Sequence, residues 1–382
     1  MNYAGFLLRK ERLGRNWSQE GLCRGICTVS YLSKIEQGKA VPADDTLRLL
    51  LERLDLKWYD GDAEISGFIE QAYEVLFGYD RSFAEIILSA DRQKLMYSPY
   101  GLDFLLLEQF AMEKPEPLDE ALEVCFDLRQ LALQRLLQDR FDEAISLCPR
   151  AFFHCIAGQR YYQQGEIARA LEALQGAYQL AAQEGHPRIM LHCKLLMGNC
   201  YSNQQNMDAM KGHYAVAKRL AHALGEDSAL EEINYNIAAT QIECGEYEKA
   251  LTYFETIESP SRMEFHKLAI CYEKMKQPEK AMAALSQAEQ AEESPWMPEG
   301  LEELMLKVVQ FRLSHEAYLE CAEYGRMLLE CFNQCCSLLP SGYGVFHLPW
   351  VLEWYEANRQ FKKALAVLKS FPGINQEMRF KA

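Results

Sequence analysis

Apolar residues along the first 60 positions recur at spacings of three and four, as in Leu22 with Ile26, Leu32 with Ile35, and Leu47, Leu50, Leu51 and Leu54. That period gives a helix one apolar stripe to turn against its neighbours. Ser18 ahead of QEGLCRG, Gly38 after SYLSKIEQ and Pro42 ahead of DDTLRLLLERL mark where these helices begin and end. The pattern predicts a small bundle of short helices, followed by a hinge at KWYDGD, residues 57–62. From residue 66 onward, amphipathic helices follow one another across short polar breaks, including GYDRS, SPYG, EKPEP, QDRF, QQGE, EGHP, NQQN, CGE, MKQPE and ESPWMPEG.

Within the longer part, small and aromatic residues repeat in register. Ala157-Gly158, Tyr161, Ala170, Leu174 and Ala177 are followed by Met197-Gly198, Tyr201, Met210, Tyr214 and Ala217. Ile237-Ala238, Ala250 and Phe254 come next, and then Leu268-Ala269, Tyr272, Ala281, Leu285 and Ala288. Counted from the first helix, units begin at 151, 191, 231 and 262, at intervals of 40, 40 and 31. Those intervals bracket the ~34 residues of a tetratricopeptide repeat, in which small side chains let two helices approach closely. Weaker copies surround Ala144 and Ala364. The expected architecture is all-α: a helix bundle over 1–62 and a right-handed helical solenoid over 63–382.

Composition agrees. Leucine occurs 51 times against 31 for Val, Ile and Thr together, the reverse of what a large sheet needs. No apolar run approaches the ~18 residues of a membrane span. The basic residues of MNYAGFLLRKERL come after the apolar ones, opposite to a secretory signal, so a cytoplasmic location is expected, with no membrane partner. The net charge is −15, yet residues 1–40 carry seven Lys/Arg against three Glu, which confines any contact with a polyanion to the N-terminus.

The stretch SQEGLCRGICTVSYLSKIEQGKAVP, residues 18–42, resembles the helix-turn-helix of phage-repressor-like proteins: Ser-Gln, a leucine, a turn, then Ser, Lys-Ile-Glu, Gly and Pro. Arg9 and Arg12 stand where that family has its first-helix arginines, and Trp17-Ser18-Gln19 where it caps its second helix. Ser18 can cap that helix, whose amides and Gln19 can meet a phosphate, while residues 29–37 enter the major groove. With Leu32 and Ile35 facing inward, Ser30, Tyr31, Ser33, Lys34 and Gln37 are left outward. Together with Arg9, Arg12, Gln19 and Thr28 they form the expected DNA-binding set. Glu36 is expected to pair with Arg9 or Arg12, because an acid facing phosphate costs affinity. Between Ser18 and Glu36 the chain is one residue shorter than many phage-repressor-like sequences, and GICTVSYLSKIEQG is similar to the turn of cytoplasmic peptide-pheromone receptors of the PlcR, NprR and Rgg type. Glu11 departs from the family by standing where it carries an apolar residue. Those regulators also join this domain to a tetratricopeptide array.

The strings GxxxxGK[ST], GxGxxG, HExxH and GxSxG do not occur, so an enzyme reading has no anchor. The thirteen cysteines include Cys331 and Cys335, one helical turn apart, with Cys336 adjacent. Without a CxxC or a nearby histidine to complete four ligands, they read as helix-core thiols, as do Cys23 and Cys27, and no metal, cofactor or disulfide is expected. On the first helix of each repeat, Gln159, Tyr162 and Gln163; Asn199, Ser202 and Asn203; Tyr235, Asn236 and Glu243; and His266 and Glu273 are expected to line a concave face. Amides on successive rungs suit an extended peptide, since each can donate to and accept from one peptide unit. In the pheromone receptors a concave-face Asn plays this part, and the resemblance assigns it to Asn199 and Asn236. The expected peptide-binding set is Gln159, Tyr162, Gln163, Asn199, Asn203, Tyr235 and Asn236. The reading is a regulator that binds operator DNA as a homodimer and senses a short peptide. The alternatives are a regulator whose array binds a protein partner, or an interaction scaffold without DNA binding.

Overall fold

A computed structural model describes residues 3–60, 63–112, 118 and 120–370. Part of the expected hinge (61–62), the break at EKPEP (113–117) and the C-terminal residues 371–382 lie outside the described residues. All regular secondary structure among the described residues is helical.

The chain divides into two compact units. The first, residues 1–156 with 183–189, contains α1 (Tyr3–Gly14), α2 (Gln19–Cys23), α3 (Val29–Glu36), α4 (Asp44–Glu52), α5 (Ala63–Phe77), α6 (Phe83–Leu88), α7 (Arg92–Met96), α8 (Gly101–Ala111), α9 (Leu128–Leu137) and α10 (Phe141–Leu147). Helices α11 (Ala151–Gln163), α12 (Ile167–Glu184) and α13 (Pro187–Asn203) contribute residues to both. The second unit continues with α14 (Met207–Leu224), α15 (Asp227–Glu243), α16 (Tyr247–Phe254), α17 (Arg262–Lys274), α18 (Pro278–Gln290), α19 (Leu301–Ser314), α20 (Ala322–Leu338), α21 (Ser341–Ala357) and α22 (Phe361–Ser370).

In the first unit, Leu8, Leu22, Leu32, Ile35, Leu50 and Leu51 meet in one fully buried core, so α3 and α4 bury their predicted stripes, while of the pair Leu22 and Ile26 only Leu22 is fully buried and Ile26 lies past the end of α2, half-buried. Ser18 Oγ accepts from Gly21 N at 3.0 Å and Thr28 Oγ1 accepts from Tyr31 N at 3.2 Å, capping α2 and α3. Gly25 takes φ +76° in the turn between them, where a side chain would be strained. Arg53, just past α4, donates to the carbonyls of Leu22 and Arg24 and ties α4 to that turn. The core takes in Leu102 and Leu122, and Tyr3 donates to the Met96 carbonyl at 2.8 Å. Glu11 has a physical reason for replacing an apolar residue. Its Oε1 accepts from the Tyr97 hydroxyl at 2.8 Å.

The second unit is built from consecutive helices that fold back on one another, giving the solenoid expected. A Cβ placed on Gly158 would come within 2.6 Å of Leu174 Cγ, and one on Gly198 would collide with the Tyr214 ring. The repeated glycines are therefore where α11 meets α12 and α13 meets α14. Helices α13 and α15 begin at Pro187 and Asp227, one turn ahead of the expected 191 and 231. Gly185 (φ +79°) and Gly225 (φ +68°) end the preceding helices in the left-handed conformation, which frees the chain to start again at once.

Candidate functional site

The outward face of α3 is polar. Ser30, Lys34 and Gln37 are exposed and Tyr31 and Ser33 half-exposed, while Leu32 and Ile35 of the same helix are fully buried. Arg9 and Thr28 are exposed and Gln19 half-exposed. Gln37 Nε2 donates to Ser33 Oγ at 3.0 Å, and the Tyr31 hydroxyl donates to the Val41 carbonyl at 3.3 Å, so both side chains are braced from within the domain. Arg12, expected with the DNA-contacting residues, is turned inward instead. It is 8% exposed; Nε and Nη2 donate to the two Glu36 oxygens at 2.6 and 2.9 Å, and Nη1 donates to the Trp17 carbonyl at 2.7 Å. Of the two partners expected for Glu36, this one is realised. Gln19 Nε2 adds a third bond to Glu36, at 2.8 Å. Its acid is thereby removed from the outward face.

The second unit holds a cavity of about 660 Å³. Gln159, Tyr162, Gln163, Asn199, Asn203, Tyr235 and Asn236 all line it, with Ser202 and Glu243. Successive rungs are hydrogen-bonded: Asn199 Oδ1 accepts from Asn236 Nδ2 at 3.2 Å and from the Tyr214 hydroxyl at 2.5 Å, and Ser202 Oγ meets Thr240 Oγ1 at 2.6 Å. Asn203 Nδ2 donates to Ser341 Oγ at 2.8 Å, which joins the row to α21. The Tyr235 hydroxyl and Glu243 Oε2 are buried without a hydrogen-bond partner. Glu231, Glu232, Glu243 and Glu264 stand on the wall against Lys267, so the lining is acidic. Burial pushes the Glu243 carboxyl up to about 7 and the Lys267 ammonium down to about 7.

Two residues expected on the concave face are elsewhere. His266 is fully buried, and Glu273 Oε1 accepts from the buried Arg312 Nε at 2.8 Å. Each shares its helix with the cavity-lining Lys267 but points into the core. The far wall was not anticipated: Trp296, Tyr343 and Phe346 reach the cavity from outside the aligned repeats. Only chain folding over more than a hundred residues brings Tyr343 to face Tyr162, and no local pattern marks it. The expectation that no histidine stands near Cys331 and Cys335 also fails, because α21 places His347 beside them. All thirteen cysteines are free thiols.

Residues 8–60 match the helix-turn-helix family model. The chain is also similar to the transcriptional activator NprA of Geobacillus stearothermophilus, 21% identical over 271 residues, a span of 60% of this chain and 66% of that protein, just under two thirds. No helix among the described residues is long and apolar enough to cross a membrane. The helix-turn-helix match lies over the bundle that presents Ser30, Tyr31 and Lys34, so the chain carries a helix-turn-helix domain, and its similarity to a transcriptional activator extends well beyond that domain.

Proposed function

We propose that this regulator binds its operator as a homodimer and that the cavity of its helical array takes a short extended peptide as effector. The observation that carries the peptide reading is the gathering of all seven residues of the amide and tyrosine row on one cavity of about 660 Å³, within the size range of ligand sites. The Asn199–Asn236 bond uses one acceptor and one donor, leaving the Asn199 amide nitrogen to donate and Asn236 Oδ1 to accept, the complement of a peptide unit. Four glutamates against one lysine favour a peptide carrying positive charge, from a basic residue or its own N-terminus. Dimerisation follows from scale: one short recognition helix makes too few base contacts for selective affinity, and two copies reading half-sites about one helical turn apart supply them.

The test is footprinting of the full chain on its own upstream DNA, with and without pools of short synthetic peptides sorted by net charge, together with light scattering of the same samples. A protected site spanning two half-sites, altered by a cationic pool, supports the reading. A monomer on and off DNA removes the dimer. Indifference to every pool removes the peptide.

A further inference from the structure

Helices α20 and α21 bring together three soft donors that neither the DNA face nor the cavity uses. Cys331 and Cys335 lie on α20 and His347 on α21, all three fully buried, and their ligand atoms lie within 4.8 Å of one another. His347 Nδ1 is 2.8 Å from the Tyr343 carbonyl, so Nδ1 carries the proton and donates, which leaves the lone pair on Nε2. That nitrogen is buried and has no hydrogen-bond partner. An imidazole whose far nitrogen is held by a carbonyl is how proteins orient a histidine ligand toward a metal.

Other uses of the pair fit less well. Cβ atoms one turn apart on a helix are ~5 to 6 Å from each other, beyond the ~3.5 to 4.5 Å a disulfide spans, so the two thiols are not set to oxidise to one another. Zinc wants four ligands. His266 stacks on His347 at 6.5 Å between ring centroids and is not part of the three-residue group.

We propose that Cys331, Cys335 and His347 form a binding site for one soft monovalent cation, of which cuprous copper is the representative. Thiolate sulfur and imidazole nitrogen are the donors such an ion prefers. On binding, two Cu–S bonds replace the thiol S–H bonds, the protons leave to solvent and no oxidation state changes. Two thiolates and a monovalent ion leave one negative charge. Lys267, 3% exposed and within electrostatic reach of both sulfurs, offsets it.

The experiment is anaerobic titration of the full chain with cuprous ion against a chromophoric cuprous chelator, and separately with zinc. One equivalent of copper should be retained, with an X-ray absorption spectrum fitted by two sulfurs and one nitrogen. Cys335→Ser and His347→Gln should each weaken retention at least ~10-fold, whereas Cys336→Ser, which alters the exposed neighbour, should retain it. Circular dichroism checks that each variant is folded, and the wild-type absorption spectrum decides the matter if one is not. No copper held by the folded wild type, equal retention by Cys335→Ser, or stoichiometric four-coordinate zinc in copper's place would each overturn the proposal.

Discussion

Arg12 on α1 grips Glu36 at the end of α3 through two parallel bonds of 2.6 and 2.9 Å, with both side chains inside the bundle. Glu36 is 2% exposed and also accepts from Gln19, so one carboxylate gathers α1, α2 and α3. The Glu36 bond holds the Arg12 guanidinium firmly protonated. Removing one partner of a buried pair strands the other, at a cost of ~3 to 5 kcal/mol. Arg12→Ala should therefore lower the unfolding free energy of the bundle by about that amount. It should abolish operator binding through unfolding, which thermal melts followed by circular dichroism will register. A variant that melts like wild type yet loses DNA would return Arg12 to the contact set.

Lys34 is the exposed cation at the centre of the α3 face. Lys34→Ala should weaken operator binding by roughly ten-fold or more, by loss of a base or phosphate contact worth ~1 to 3 kcal/mol. Lys211→Ala, an exposed lysine of the array, should not. Gel-shift titrations at two salt concentrations distinguish the contacts. A phosphate contact lowers the salt slope by about one, and a base contact relaxes the sequence preference. Equal affinity in both variants would take α3 out of the groove.

The bundle was legible because its information is local: a cap residue, a turn glycine and an apolar stripe lie within a few positions of each other, and α2 to α4 begin and end near where those signals stand. The repeat was legible for a related reason, since Gly158 and Gly198 mark close helix contacts at fixed offsets from Leu174 and Tyr214. Arg12 was misread because exposure depends on the rotation of α1 about its axis, and Glu11 in an apolar slot hides that rotation. The placement of Tyr343 and Phe346 on the far cavity wall and the meeting of His347 with Cys331 and Cys335 are tertiary facts, set by where α21 comes to rest.

Glu243 gives the array an unusual pH response. Its carboxyl is raised to about 7 by burial, with Lys267 as the facing cation, so between the ordinary carboxylate range and 7 the folded state holds a proton that the unfolded chain has released. Stability from this group is present at low pH and is lost as pH rises through 7. Lys267, lowered to about 7, acts in the opposite sense above 7, where the unfolded chain binds the proton and stability rises with pH. The two together predict a stability minimum near neutrality. Glu243→Gln should gain stability relative to wild type between pH 5 and pH 8, measured by urea unfolding at both values. A constant difference would mean that Glu243 is solvated in solution.

Asn199 and Asn236 are bonded to each other across adjacent rungs at 3.2 Å, and each keeps polar groups for the cavity they line. A peptide laid along them exchanges bonds to water for bonds to fixed amides, while Tyr162 and Tyr235 offer rings to its side chains. Leaving one buried backbone group of the peptide unpaired costs ~1 to 3 kcal/mol, so Asn236→Ala should weaken binding by roughly five- to a hundred-fold. Asn199→Ala should do at least as much, because Asn199 Oδ1 also anchors the Tyr214 hydroxyl at 2.5 Å. Linkage adds a second measurement: a peptide that favours one DNA-binding geometry must change operator affinity by the factor through which operator changes peptide affinity. Calorimetry of wild type, Asn236→Ala and Asn199→Ala, with and without operator, reads both quantities. Unchanged affinity in both variants would put the effector outside this cavity, and identical peptide affinity with and without operator would mean that the cavity does not communicate with the DNA-binding bundle.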